Sequence, residues 1–149
     1  MLKEHGETSV RFYFKKINFR VGERRRLKRF IDFLIHKEKK KLSSINYVFC
    51  NDQALLKINR TYLNHDFYTD IISFDLSDSP KNILGEIYIS IDRVRENAEI
   101  FKNSFKDELH RVIFHGILHL CGYNDKTNRE TEIMRKKENL YLNLYKRFT

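Results

Sequence analysis

The stretch SFKDELHRVIFHGILHLCGYND, residues 104–125, carries the strongest structural signal in the chain. Its apolar residues recur every three or four positions, which is the spacing of an amphipathic helix with one buried face. That face comprises Leu109, Val112, Ile113, Gly116, Ile117 and Leu120. Ser104 and Asp107 have the spacing of a capping box that opens a helix, and Gly122 is typical of the residue that ends one. The sequence therefore predicts a buried helix here.

Segments on both sides of this helix predict a protein that mixes strands and helices. Runs rich in alternating or β-branched apolar residues predict four strands, at 10–14, 45–50, 70–74 and 86–91. Helical periodicity and capping residues predict further helices at about 22–42, after Asn51, at about 92–101 and from Thr127 onward. The order β-α-β-α-β-β-α-α-α contains no repeat and no linker. It predicts one α+β domain over residues 1–149.

The composition is that of a globular protein. Apolar residues make up 41% of the 149 residues, enough for a core, and five glycines and one proline exclude a collagenous or low-complexity chain. No window approaches eighteen consecutive apolar residues, so we expect no membrane association through a spanning helix. The segment 1–11 lacks an apolar signal core. Because Cys50 and Cys121 are too few for a disulfide framework, we expect a cytoplasmic protein.

The charge is strongly basic and unevenly distributed. The net charge is +9, and residues 1–50 alone carry 14 Lys and Arg against 5 Asp and Glu. Five of these cations crowd the first turns of the predicted helix near residue 22: Arg24, Arg25, Arg26, Lys28 and Arg29. Cations at a helix N-terminus oppose the helix dipole, so we interpret this basic cluster as a contact for a polyanion, RNA or DNA first. The alternative is a solubilising surface.

Two histidines on the central helix have the spacing of metal ligands. His115 and His119 are four residues apart, so both rings leave the same face and can bind one ion. Gly122 then ends the helix, and Asp125 follows at a distance that allows a third ligand. Three protein ligands leave one position for water, as catalytic zinc sites require. The alternative is a pair of surface or partly buried histidines.

Other residues of this helix limit the class of enzyme and the choice of metal ligands. The position where an HExxH zinc protease places its general base is Gly116 here, which counts against a protease or amidase. Cys121 lies about 200° around the helix from His119 and is interpreted as a core residue. His110 lies off the His115 face, and we expect it at the surface.

Three ordered blocks of the sequence resemble the YbeY family of bacterial endoribonucleases. The segment HGILHLCGY, residues 115–123, resembles the family signature. Upstream, LLKINRTYLNHDFYTDIISFDL at 55–76 is similar to the family's LNxxYRxxDxPTDVLSF, and LGEIYIS at 84–90 is similar to its LGDIVIS strand. Together the blocks cover roughly residues 55–145 in the family's order and spacing.

The resemblance implies a fold, an activity and partners. The fold would be a small mixed four-stranded sheet packed with about five helices. The activity would be hydrolysis of single-stranded RNA with one zinc ion per chain, in ribosomal RNA maturation and ribosome quality control at the small ribosomal subunit. RNA is then the expected polyanion, and neither DNA nor a membrane is expected as a partner.

The sequence departs from the family pattern at two positions. The family's third ligand is usually a histidine, where Asp125 stands here, and a carboxylate also ligates zinc. The family's catalytic arginine after Tyr62 is replaced by Leu63. Arg60 lies three residues earlier and is our candidate for its catalytic role, the alternative being a solvated surface charge.

These observations predict a zinc-dependent endoribonuclease with His115, His119 and Asp125 as ligands. Two other functions remain open at this point. One is a ribosome-assembly factor that binds RNA without cleaving it and holds a structural metal. The other, less favoured, is a zinc protease. Three tyrosines are weaker candidates for base stacking, and packing is the alternative for each: Tyr62, Tyr68 and Tyr123.

Overall fold

A computed structural model of the chain describes residues 9–149, so most of the segment 1–11 lies outside the described part. Within the described residues, four strands and five helices follow the predicted order. They are β1 (Val10–Phe14), α1 (Arg24–Lys37), β2 (Lys41–Cys50), α2 (Asp52–Leu63), β3 (Ile71–Asp75), β4 (Asn82–Ser90), α3 (Ile91–Ile100), α4 (Phe105–Leu120) and α5 (Asn128–Lys146). The α+β class is confirmed. Within the described residues, no helix has the length and apolar character needed to cross a bilayer.

The four strands form one mixed sheet with the spatial order β1-β2-β4-β3. β1 and β4 both pair with β2 in parallel, whereas β3 pairs with β4 antiparallel. The central strands carry fully buried side chains that face the helices, among them Tyr47, Phe49 and Ile87. The mixed four-stranded sheet expected from the resemblance is therefore confirmed.

The first helix is shorter than predicted, and the strand after it is longer. α1 ends at Lys37 instead of about residue 42, because Lys39 adopts a left-handed backbone with φ of 63°. The Lys40 amide then donates to the Ile35 carbonyl at 3.0 Å, a satisfied helix end. β2 begins at Lys41 because the chain pairs there with Asn82 of β4. Sheet pairing thus overrides the lysine-rich pattern that looked helical.

Helix α4 packs directly on the sheet at Gly116. A Cβ atom at this position would lie 2.9 Å from Cδ1 of Ile71 and 3.0 Å from Cγ2 of Ile87. The buried hydroxyl of Tyr47 also donates to the Ile113 carbonyl at 2.9 Å. This close approach places the helix face that carries the two histidines beside β3, where a cleft opens.

Candidate metal centre

The structure brings the three predicted ligands together. Nε2 of His115 and Nε2 of His119 each lie 3.3 Å from Oδ2 of Asp125. One ligand atom from each residue lies within 4.8 Å of the others. In a tetrahedral zinc site, bonds of about 2.0–2.2 Å separate the ligand atoms by about 3.3–3.6 Å. Both nitrogen–oxygen distances fall in this range, so the two imidazoles and the carboxylate fit a zinc ion.

The end of α4 explains how Asp125 reaches the histidines. Gly122 has φ of 108°, and its amide donates to the His119 carbonyl at 3.0 Å. The Tyr123 amide donates to the Leu118 carbonyl at 3.0 Å, which completes a glycine-ended helix cap. The chain reverses there and returns Asp125 over the histidine face. The predicted role of Gly122 as the helix terminator is confirmed.

Each histidine is oriented through its other ring nitrogen. Nδ1 of His119 lies 2.9 Å from the Tyr123 carbonyl, and a carbonyl only accepts, so this nitrogen carries the proton. Nδ1 of His115 lies 2.6 Å from Oε2 of Glu138. Both contacts leave Nε2 directed at Asp125 with a lone pair available to a metal.

Glu138 is a buried carboxylate that sequence reasoning missed. This residue of α5 is 4% exposed, and its carboxylate accepts a hydrogen bond from Nη1 of Arg111 at 2.9 Å. Burial would raise the pKa of Glu138, but the hydrogen bonds from His115 and Arg111 hold it below its usual value. A signal was available, because Glu138 lies between Met134 and Tyr141 on the apolar face of its helix.

The pKa of His115 is raised by its surroundings. Burial alone would lower it, but the hydrogen bond and the charge of Glu138, together with the charge of Asp125, outweigh that effect. The nearby carboxylates therefore favour a positive charge on the His115 ring or next to it. A bound cation satisfies the same requirement as a proton.

A second carboxylate, that of the partly buried Glu38, anchors the turn after α4. Glu38 accepts hydrogen bonds from the hydroxyls of Tyr123, at 2.7 Å, and Tyr141, and from Nζ of Lys137 at 3.1 Å. Burial would raise the pKa of Glu38, but these donors hold it below its usual value. Tyr123 supplies the carbonyl that orients His119. By holding Tyr123, Glu38 at the C-terminal end of α1 helps to position this candidate ligand.

The three candidate ligands lie in an open cleft of about 620 Å³. Its wall includes the end of α2, the loop before β3, and β3 itself. Other lining residues are Leu63, His65, Phe67, Thr69, Asp70, Asp75 and Lys126. Burial raises the pKa of Asp70, whose Oδ2 accepts from Nδ2 of Asn97 at 3.2 Å. The cleft is large enough for an extended polar ligand that reaches the histidines.

Comparison with known proteins places this arrangement in a family. The family model described as Endoribonuclease YbeY matches residues 13–146. The chain belongs to this family. An Endoribonuclease YbeY from Cytophaga hutchinsonii is 45% identical over 140 residues, which cover 94% of this chain and 98% of that protein. One from Flavobacterium psychrophilum is 48% identical over 130 residues, covering 87% and 92% respectively.

The fold also matches a solved structure. The solution structure of TM1509 from Thermotoga maritima superimposes with a TM-score of 0.65. Its sequence is 26% identical, and the match covers 91% of this chain and 88% of the Thermotoga chain. The sheet and helices that hold the candidate ligands are thus a known arrangement.

In this YbeY family member, Arg60 does not point into the cleft. Its Nε lies 2.5 Å from Oδ1 of Asp66, and the side chains of both residues are exposed. Arg60 is not among the described residues that line the cleft, whereas Asn59 and Leu63 are. A catalytic role for Arg60 stays a prediction, and it would require the guanidinium to leave Asp66.

Two arginines of the basic cluster bind the end of α5 and the residues that follow it. Arg26 donates to the carbonyls of Tyr145 and Phe148, the latter at 2.8 Å, and Arg29 donates to Thr149 O at 2.8 Å. Carbonyls at a helix C-terminus carry partial negative charge, so these cations are favourable there. Arg26 and Arg29 therefore have favourable partners outside α1, although their charge opposes the dipole of their own helix.

Two further members of the basic cluster lie near an aromatic ring of β1. The Arg24 guanidinium is 6.0 Å and the Lys28 ammonium 5.2 Å from the centre of the Phe12 ring. Arg25 is exposed.

The basic cluster and the candidate ligands lie at opposite ends of α4. Tyr145, whose carbonyl Arg26 contacts, packs on His110 with ring centroids 4.8 Å apart. His110 precedes His119 by nine residues, or about 13 Å along the helix axis. The structure therefore does not bring the cluster into the cleft. His110 is buried, so its predicted surface position is wrong, whereas Cys121 is buried as predicted.

Proposed function

We propose that this chain is a zinc-dependent endoribonuclease that cleaves single-stranded RNA, with one ion held by His115, His119 and Asp125. Membership of the Endoribonuclease YbeY family supports hydrolysis of RNA. The observation that carries the metal is the 3.3 Å separation of both imidazole Nε2 atoms from one carboxylate oxygen. All three residues line the open cleft, where a substrate can reach them.

Protein groups around this site have distinct tasks. A zinc ion bound there would supply Lewis-acid activation of water and of the phosphodiester. Glu138 and the Tyr123 carbonyl hold the two imidazoles in the tautomer that ligates through Nε2. Lys126 lines the same cleft and supplies a cation for a phosphate oxygen.

The packing of Gly116 supports a nuclease over a zinc protease. A zinc protease of the HExxH type needs a glutamate at this position as general base. Here a Cβ would lie 2.9 Å from Cδ1 of Ile71 and 3.0 Å from Cγ2 of Ile87, so a side chain would require its neighbours to shift. This close packing of α4 on the sheet counts against a glutamate at the position.

The biological role that we propose is ribosomal RNA maturation at the small ribosomal subunit, in the cytoplasm. The whole chain, residues 1–149, would form the single enzyme domain. Support comes from the net charge of +9, which suits a ribosomal RNA partner better than a neutral surface would.

A non-catalytic assembly factor is the second candidate. Leu63 stands in the cleft at the position of the arginine expected from the family pattern, so one transition-state donor is missing there. In that case the metal would be structural, and RNA would bind without being cleaved.

The decisive experiment compares cleavage with metal content. Purified protein is loaded with zinc and incubated with a labelled single-stranded RNA and with its duplex, before and after a chelator. We expect cleavage of the single strand only, loss of cleavage with chelator, and recovery on adding zinc. His119→Ala guards against a contaminating nuclease and should be inactive. RNA binding without zinc-restored cleavage would favour the assembly factor.

A further inference from the structure

The rim of the cleft carries a pair of stacked rings. The rings of His65 and Phe67 are 5.1 Å apart between centroids and 22° from parallel. Both residues line the cleft that contains the three candidate ligands. Phe67 is 56% exposed, which leaves much of an apolar ring in contact with water. We propose that His65 and Phe67 form a stacking platform for one unpaired nucleobase of the substrate, an inference that rests on the proposed function.

Stacking on this pair suits a nucleobase. Every base has a flat π face, and proteins that bind single strands stack successive bases on exposed aromatic rings. A base placed on the outer face of the pair would extend a two-ring stack to three rings and cover exposed apolar surface. A base in a duplex already has stacking partners on both faces. The platform therefore favours unpaired nucleotides next to the site of cleavage.

The platform is held in place before a ligand arrives. Asn59, at the end of α2, is 1% exposed. Its Nδ2 donates to the Phe67 carbonyl at 2.9 Å, and its own carbonyl accepts from the His65 amide at 3.1 Å. One buried residue thus pins the backbone of both platform residues. Binding does not have to order this loop, which preserves affinity.

The nearby tyrosines are engaged elsewhere. The Tyr68 hydroxyl accepts from Nε2 of Gln53 at 3.2 Å, and the Arg93 guanidinium lies 5.1 Å from the centre of its ring. Tyr62 packs edge-on against Phe74. Neither tyrosine is among the described residues that line the cleft. We therefore place base stacking on His65 and Phe67, in the loop between α2 and β3, and not on these two tyrosines.

The platform and the candidate metal ligands line the same cleft, which indicates the part of the RNA that the platform would hold. Leu63 lies in the same wall and gives the base an apolar edge. A base on Phe67 would thus belong to a nucleotide whose phosphate lies inside the cleft with His115 and Asp125.

Equilibrium binding of a short single-stranded RNA, measured by fluorescence anisotropy with a chelator present, separates base stacking from catalysis. Phe67→Ala should raise Kd by about 5- to 150-fold, the range found when one base-stacking ring is removed. Phe67→Trp should bind at least as tightly as the unaltered protein. Phe101→Ala is the matched control, because Phe101 is 57% exposed and lies at the end of α3, and its Kd should not change.

A second measurement changes the RNA instead of the protein. An RNA series with a single abasic nucleotide at each position should show one position where loss of the base weakens binding as much as Phe67→Ala does. At that position the variant and the unaltered protein should bind equally. Equal affinity of both proteins for every RNA would overturn the platform and leave the proposed function intact. Failure of the unaltered protein to bind or cleave any RNA would overturn both.

Discussion

Oε2 of Glu138 lies 2.6 Å from Nδ1 of His115, and this contact decides which ring nitrogen faces Asp125. The same carboxylate is paired with Arg111 through its other oxygen, so it is held on two sides. Helix α5 therefore contributes to the candidate metal centre although none of the three proposed ligands lies on it. Its contribution is orientation and charge.

Glu138→Gln should weaken zinc binding by about 10- to 100-fold, the usual effect of removing the partner of a ligating histidine. The amide keeps the volume but loses the negative charge that favours a cation beside His115. Competition with a fluorescent chelator measures the zinc affinity. Glu132→Gln, at an exposed position on the same helix, is the control. Equal zinc affinity in both variants would show that Glu138 is only a packing residue.

Asp125→Ala should lose most of its zinc on dialysis, because two imidazoles alone make an incomplete site. Asp125→His should retain the metal, since a third imidazole is also a good ligand. The measurement is zinc per chain after dialysis, with Asn124→Ala as the neighbouring control. Stoichiometric zinc in Asp125→Ala would mean that this carboxylate only shapes the turn before α5.

His110 should make stability depend on pH below neutrality. Burial, followed by the nearby charge of Lys106, lowers the pKa of His110 to about 4. An unfolded chain takes up a proton near pH 6.5, whereas the folded protein does so only near pH 4. Stability is therefore full above pH 6.5 and falls as the pH drops toward 4, by on the order of 3 kcal/mol.

Urea unfolding of His110→Phe between pH 7 and pH 4 checks this expectation. A phenylalanine can stack on Phe114 and pack edge-on against Tyr145 as the imidazole does, and it has no proton to bind. As the pH falls over this range, the unfolding free energy of the variant should rise relative to that of the unaltered protein. A constant difference for His110→Phe would contradict the buried neutral imidazole.

Arg26→Gln should destabilise the fold by about 1–3 kcal/mol, because two carbonyls at the end of α5 lose a charged donor. Thermal or urea unfolding measures the loss. Arg25→Gln is the matched control in the same turn of α1, since Arg25 is exposed, and its stability should be within about 0.5 kcal/mol of the unaltered protein. Equal stability of the two variants would argue that the contacts of Arg26 contribute nothing.

RNA contact by the basic cluster should appear in the salt dependence of binding. Replacing Arg24 and Arg25 together with Gln should reduce the slope of log K against log salt by about 1.4, or roughly 0.7 for each phosphate contact with a single strand. Zinc content should stay the same, because these residues lie at the far end of α4 from the candidate ligands. An unchanged slope would show that Arg24 and Arg25 do not contact RNA phosphates.

Local signals explain why most of the elements could be predicted. Thr127 and Glu130 form the reciprocal capping box expected at the start of α5, and Ser104 caps α4 through the Asp107 amide. These motifs act within three or four residues, so no distant contact is needed to form them. The boundary between α1 and β2 was predicted incorrectly, because pairing with β4 decides where that strand begins.

The sequence by itself determined the helix, the spacing of His115 and His119, the turn at Gly122 and the return of Asp125, because all of these lie within about ten residues of one another. Only the tertiary structure decided what surrounds them. Glu138 reaches His115 from another helix, and Arg26 finds its partners in and after α5. Contacts between distant segments depend on how helices pack on the sheet, and local periodicity does not encode that packing.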